Sequence, residues 1–240
     1  MVVAANRDEF HERPTEGPAL RTTSIEGPGG RPVVAPRDLR AGGTWLGVNA
    51  EGLFAAVTNR RAQSPDPERR SRGWLVMEAL AARDARSAAD RLERAERGAY
   101  NPFNLFVADA ESAHWVTYED RPERRDLAPG PHVIGNVHPD EDSAKLERLR
   151  AEVDGIARAG ASLDALAGVC RHHAGSSPLE STCVHAGAYG TRSSTLLRLG
   201  ADPALRYADG PPCEAPYRDL TPLLRDLGIV PSPVGVQARG

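Results

Sequence analysis

Two apolar, β-prone runs, residues 44–49 and 53–58, are separated only by Ala50-Glu51-Gly52. Three residues cannot carry a chain back over a sheet, so the two runs must pair antiparallel as a hairpin. Residues 103–108 and 114–119 repeat the pattern around residues 109–113, and residues 132–136 read as a further strand. Residues 1–5 form an apolar strand at the start, and residues 182–186, 194–199 and 205–208 read as short strands near the end.

Helical signals fall between these strand groups. Ser71 can cap a helix running to about Ala82 with Val76, Met77 and Leu80 inward, and Ser87 can cap a second through Arg97. Leu146, Leu149, Val153 and Ile156 recur at helical spacing, and Ser162 can cap a following helix whose inner stripe is Leu163, Leu166 and Cys170. Residues 14–32, rich in Gly, Pro and Thr, read as a loop, and residues 231–240 as a loose tail after one domain spanning residues 1–230. Strands, a helix pair, strands, a helix pair and strands again give an α+β fold with helices layered over antiparallel sheets.

Composition removes several function classes. A net charge of −3 with no long basic block argues against a nucleic-acid partner. No stretch approaches the roughly 20 apolar residues of a membrane span, and residues 1–5 lack the basic start of a signal peptide, so a cytoplasmic protein is expected. Three cysteines without framework spacing suit a reducing compartment.

Chemistry-bearing residues gather where strands are expected to end. Asn6-Arg7-Asp8-Glu9 sets an amide, a guanidinium and two carboxylates at a sheet rim, where Arg7 can grip a carboxylate bidentately; an ion-paired strand end is the plain alternative. Gly42-Gly43-Thr44-Trp45-Leu46-Gly47 lets the backbone approach something closely around Trp45, or simply turn around a core tryptophan. Asn59 and Asn136 end two strands and can act as oxyanion donors or as turn formers. Tyr189-Gly190-Thr191-Arg192-Ser193-Ser194-Thr195 offers Arg192, flanked by hydroxyls, to an anion, or makes a polar turn.

Cys183 with His185 on one strand, and Cys170 with His173 on one helix, supply four groups that can hold zinc, but their spacing fits neither a finger nor a ribbon. No metal site and no cofactor are therefore assigned from sequence. Cys183 activated by His185 is a further nucleophile option, subject to the side chains touching.

Taken together, Ala4-Ala5-Asn6-Arg7-Asp8-Glu9-Phe10, Arg37-Asp38-Leu39, Gly42-Gly43-Thr44-Trp45-Leu46-Gly47, Thr58-Asn59, Ser71-Arg72-Gly73, Tyr100-Asn101-Pro102-Phe103-Asn104-Leu105 and the segment around Arg192 resemble the NRDE family, that of transport and Golgi organization protein 2. The resemblance implies a four-layer αββα sandwich, two antiparallel sheets between helix layers, similar to the N-terminal-nucleophile hydrolases. It further implies that Arg7 and Asp8 flank a nucleophile, that Asn59 and Asn136 cradle an oxyanion, and that Arg192 orients a charged group. Asn6, Trp45 and Tyr189 would contact a small-molecule substrate. Family members begin Met-Cys with a further strand, whereas here Met1 is followed by Val2-Val3-Ala4. Either the first strand and its cysteine lie upstream, giving hydrolysis of a non-peptide amide C–N bond, or this member lacks that chemistry. The alternative implied by the eukaryotic relatives is a carrier of haem or a lipid-related metabolite, with His172, His173 and His185 as axial candidates.

Overall fold

The computed structural model describes residues 1–23, 30–60 and 65–230. The tail expected over residues 231–240 lies outside the described residues, as do residues 24–29 of the expected loop. Two antiparallel sheets carry the fold. One contains β1 (Val2–Phe10), β9 (His185–Ala186), β10 (Tyr189–Arg198), β11 (Ala204–Ala208) and β12 (Arg218–Asp219), in the order β1-β10-β11-β12 with β9 also on β10. The other is a seven-stranded meander, β2 (Thr15–Thr22), β3 (Pro32–Asp38), β4 (Leu46–Asn49), β5 (Phe54–Asn59), β6 (Phe103–Ala108), β7 (Ala113–Tyr118) and β8 (Pro122–Leu127), in chain order.

The period of two along each strand builds the layers. Val33, Ala35, Ala55, Leu105 and Val107 face α1 (Arg72–Leu80) and α2 (Ala85–Leu92), whose Leu75, Val76, Leu80, Ala88 and Leu92 close that core. Their strand neighbours Val34, Phe54 and Phe106 point the other way, against Val3, Ala5, Leu197 and Leu205 of the five-stranded sheet. Val2, Ala4 and Leu196 on that sheet's far face meet α3 (Ala144–Arg158) and α4 (Leu163–Arg171) through Ile156, Leu163 and Leu166. A short α5 (Thr221–Asp226) adds Leu224 to the inter-sheet core. The order is helices, sheet, sheet, helices, the αββα sandwich expected from the resemblance.

Both hairpins form, with Val48 opposite Phe54 and Leu105 opposite Val116. Ser71 and Ser162 cap α1 and α4 through Gly73 N and Asp164 N. Several expectations are corrected. Asn6, Arg7, Asp8 and Glu9 lie inside β1, not beyond its end, because all of them pair with β10, on either side of a register shift between Arg7 and Asp8. Residues 15–22 form β2, an edge strand whose half-exposed side chains give no apolar alternation. Asp84, not Ser87, caps α2: its carboxylate accepts from Ser87 N, and the helix ends at Leu92. Residues 132–136 form no strand, because the carbonyl of Gly135 is taken by the side chains of Thr58 and Asn104. Of residues 182–186, only His185 and Ala186 pair as strand.

Candidate functional site

A cleft of about 1310 Å³ opens between the sheets along β1, bounded by β5, the 127–137 segment and α3. That exceeds the roughly 300–1,000 Å³ of ordinary small-molecule sites. Its walls mix apolar side chains, Val3, Ala5, Phe54, Phe106 and Leu149 among them, with polar and charged ones, of which Arg7, Glu9, Arg13 and Asp38 gather where β1 passes the 38–45 turn.

Arg7 anchors the charged end. Alternation along β1 turns it inward with Val3 and Ala5, and only 8 % of it is exposed. Its guanidinium lies 4.2 Å from the centroid of Trp45. Nη2 is 3.8 Å from Asp38 Oδ2, which accepts a 2.7 Å hydrogen bond from Arg13 Nε, and Arg13 also pairs with Glu9 at 3.7 Å. Asp38 is fixed by its own turn, since Oδ1 accepts from the backbone N–H groups of Arg40 and Ala41. Burial lowers the Arg7 guanidinium from its ordinary value, opposed by Glu9 and Asp38, but arginine stays charged. Arg72 is likewise lowered by burial and by Arg13. Three arginines thus face two carboxylates, and Arg7 Nη1 is buried without a hydrogen-bond partner among the described residues.

The other expected residues divide between wall and cleft. Asn6 lines the cleft, but its Nδ2 donates to the carbonyls of Cys170 and Thr182, both at 2.9 Å, tying β1 to the end of α4. Asp8 accepts a 2.6 Å hydrogen bond from Thr191 Oγ1, which itself accepts from Val184 N. Burial raises the Asp8 carboxyl, against the Thr191 bond and the Lys145 charge. Asn59 and Asn136 are brought together, yet Asn136 Nδ2 donates to the Asn59 carbonyl at 2.6 Å, so one of its N–H groups is already engaged. Tyr189 also lines the cleft and meets Phe10 edge to face at 5.5 Å.

Arg192 is not among the lining residues. Arg7 pairs with Ser193 and Asp8 with Thr191, so Arg192 is the extra residue of a β-bulge. Its Nε is buried without a partner among the described residues, and its charge, like that of Arg7, acts on the Tyr207 phenol. No spacing rule reads a bulge from one strand alone. Arg13 and Lys145, which line the cleft, were also missed, because a lone basic residue on a surface carries no signal.

The cysteine–histidine set moves elsewhere. Cys170 is buried against Ser194 and Tyr217, and His173, Cys183 and His185 gather instead with Cys213. Burial pushes the Cys183 thiol up to about 12, so it is a poor nucleophile at neutral pH, and His185 Nε2 stands 3.7 Å away. None of His172, His173 and His185 lines the cleft, whereas His132 does.

The sequence pattern of the family described as "Transport and Golgi organisation 2" matches residues 1–209. The mouse Transport and Golgi organization 2 homolog is 32% identical over 146 residues, and the bovine homolog 34% identical over 146 residues. These matches cover 57% of this chain and 50% of each relative, so the chain spans about half the length of the curated relatives it matches. Among solved structures, a Caenorhabditis elegans N-acylethanolamine-hydrolyzing acid amidase ortholog superposes with a TM-score of 0.59, covering 82% of this chain and 86% of its own. At 10% identity that likeness shows the fold alone.

Proposed function

We propose, from the premise that the chain belongs to the transport and Golgi organisation 2 family, that the inter-sheet cleft binds a small amphipathic molecule with an anionic end. The carrying observation is the buried Arg7 Nη1, without a partner among the described residues, at the charged end of a cleft with a long apolar wall. A carboxylate or similar group completes that donor, and three arginines against two carboxylates favour negative charge there. Haem, with its propionates, and lipid-derived acids both have this shape and charge. The protein works in this reading as a carrier in a reducing setting, the cytoplasm, without nucleic acid. Native mass spectrometry with a long-chain fatty acid and with haem tests it. One bound equivalent of either supports the reading, and binding of neither sinks it.

The fold favours a second use of the same cleft. The solved neighbour hydrolyses N-acylethanolamines by its description, amides whose acyl chain would suit these walls. Under this reading a cysteine that the present sequence does not contain supplies the nucleophile. Arg7 and Asp8 flank it, Asn59 and Asn136 hold the oxyanion, and Arg192 orients charge. Amine release from N-acyl amides by protein isolated from its native source, with its N-terminus sequenced, separates hydrolase from carrier.

A further inference from the structure

Four side chains far apart in the sequence converge on one point behind β1. His173 follows α4, Cys183 and His185 precede and open β9, and Cys213 sits in the turn after β11. One ligand atom from each lies within 4.8 Å of all the others. Cys183 Sγ is 3.5 Å from Cys213 Sγ, Cys213 Sγ is 3.2 Å from His185 Nε2, and Cys183 Sγ is 3.7 Å from that same nitrogen. A tetrahedral ion about 2.3 Å from sulfur and about 2.0 Å from nitrogen needs ligand edges of roughly 3.5–3.8 Å. The three measured edges fall within a few tenths of an ångström of that.

We propose that His173, Cys183, His185 and Cys213 bind one zinc ion. Two thiolates and two imidazoles are the donor set that selects zinc over magnesium or calcium, and four protein ligands close the tetrahedron as structural sites require. The surroundings carry a second mark. Glu214 Oε1 stands 4.0 Å from His185 Nδ1, on the ring nitrogen opposite the one facing the sulfurs. At that distance the carboxylate makes no hydrogen bond, but its charge favours the tautomer with the proton on Nδ1, which leaves Nε2 to the ion. Zinc charge strips the proton from each coordinated thiol, so binding releases protons to solvent.

Bound zinc would staple the end of α4, the start of β9 and the turn after β11. Thr182 N and Cys183 N both donate to the His172 carbonyl, and Asn6 of β1 donates to the Thr182 carbonyl. The staple therefore sits directly behind a wall of the cleft. A Cys183–Cys213 disulfide is the competing use of the paired sulfurs, and it would leave both imidazoles without a role.

The full chain, purified reduced and without oxygen, should hold one zinc by elemental analysis after dialysis. Cobalt exchanged for it should give the visible bands of a tetrahedral thiolate site. Losing a direct ligand should weaken cobalt binding more than the about 10–100-fold typical of outer-shell losses. Cys213→Ser and His185→Ala, both at exposed positions, test this with folding followed by circular dichroism. Cys170→Ser should keep full stoichiometry. Metal-free reduced protein that gives no thiolate–cobalt bands, or unchanged cobalt affinity in folded Cys213→Ser, overturns the proposal. So does a Cys183–Cys213 disulfide in protein isolated from its native source.

Discussion

Arg7 lays its guanidinium over Trp45 at 4.2 Å, joining the edge strand of one sheet to the turn that leads into β4 of the other. A cation over an indole contributes about 0.5–2 kcal/mol, more as water is excluded. Trp45→Leu should therefore lower stability by about 1–2 kcal/mol in urea denaturation. An equal loss from Trp45→Leu in the parent and in an Arg7→Met background would mean the stacking carries no weight.

Asp8 gives a pH signature. Its carboxyl is raised by burial above the ordinary 3.8, so the folded state holds its proton more tightly than the unfolded chain. The stabilisation this brings is fully present below the unfolded value and disappears as pH rises through the folded one. Asp8→Asn removes that dependence and can still accept from Thr191. Its melting temperature relative to the parent should climb between acid and neutral pH. A difference that stays flat across that range would show the carboxyl is not strained.

Asn104, fully buried, holds the 132–137 segment in place. Its Nδ2 donates to the carbonyls of Gly135 and Val137 at 3.0 and 2.8 Å, which positions Asn136 beside Asn59. Asn104→Leu should cost about 1–3 kcal/mol and speed amide exchange across residues 133–137. Unchanged exchange there would mean Thr58, which also donates to Gly135, suffices alone.

Two glycines predict opposite signs. A Cβ on Gly43 would lie 2.5 Å from the Gly73 carbonyl carbon, backbone that cannot yield, so Gly43→Ala should cost about 1–3 kcal/mol. Gly155, inside α3 with nothing within 4 Å of a Cβ, should gain about 0.5–1 kcal/mol on change to Ala. Thermal unfolding of the two variants side by side reads the contrast.

Much of the fold is written locally. Residues 44–58 announce a hairpin because two apolar, β-prone runs flank a turn too short for anything else, and Ser71 and Ser162 announce helix starts through their own hydroxyls. What escapes sequence reading is structure whose driving contacts are distant. Residues 122–127 are mostly charged, yet form β8 because Arg124 is held by Asp90 of α2 and Asp126 by His114 of β7. The apolar run at 132–136 is the reverse case, drawn out of a sheet by Asn104 and Thr58. At the site, Arg7, Trp45 and Asp38 were legible as motifs, and the structure brings them into contact. Arg192 in a bulge and Cys213 beside Cys183 depend on register and topology, which no spacing in the chain encodes.

The most direct measurement is calorimetric titration of a long-chain fatty acid, and of the uncharged alcohol of the same length, into the parent chain and Arg7→Met. Methionine keeps the apolar volume and leaves Asp38 its 2.7 Å bond from Arg13, so the chain should fold with a loss of about 1–2 kcal/mol from the Trp45 stack. A charge-assisted hydrogen bond is worth about 1.5–3 kcal/mol, roughly 10- to 100-fold in affinity. The parent should bind the acid at one equivalent and favour it over the alcohol, and Arg7→Met should lose that preference while remaining folded by circular dichroism. Equal binding of acid and alcohol by the parent, or an undiminished preference in Arg7→Met, would contradict an anion-reading cleft.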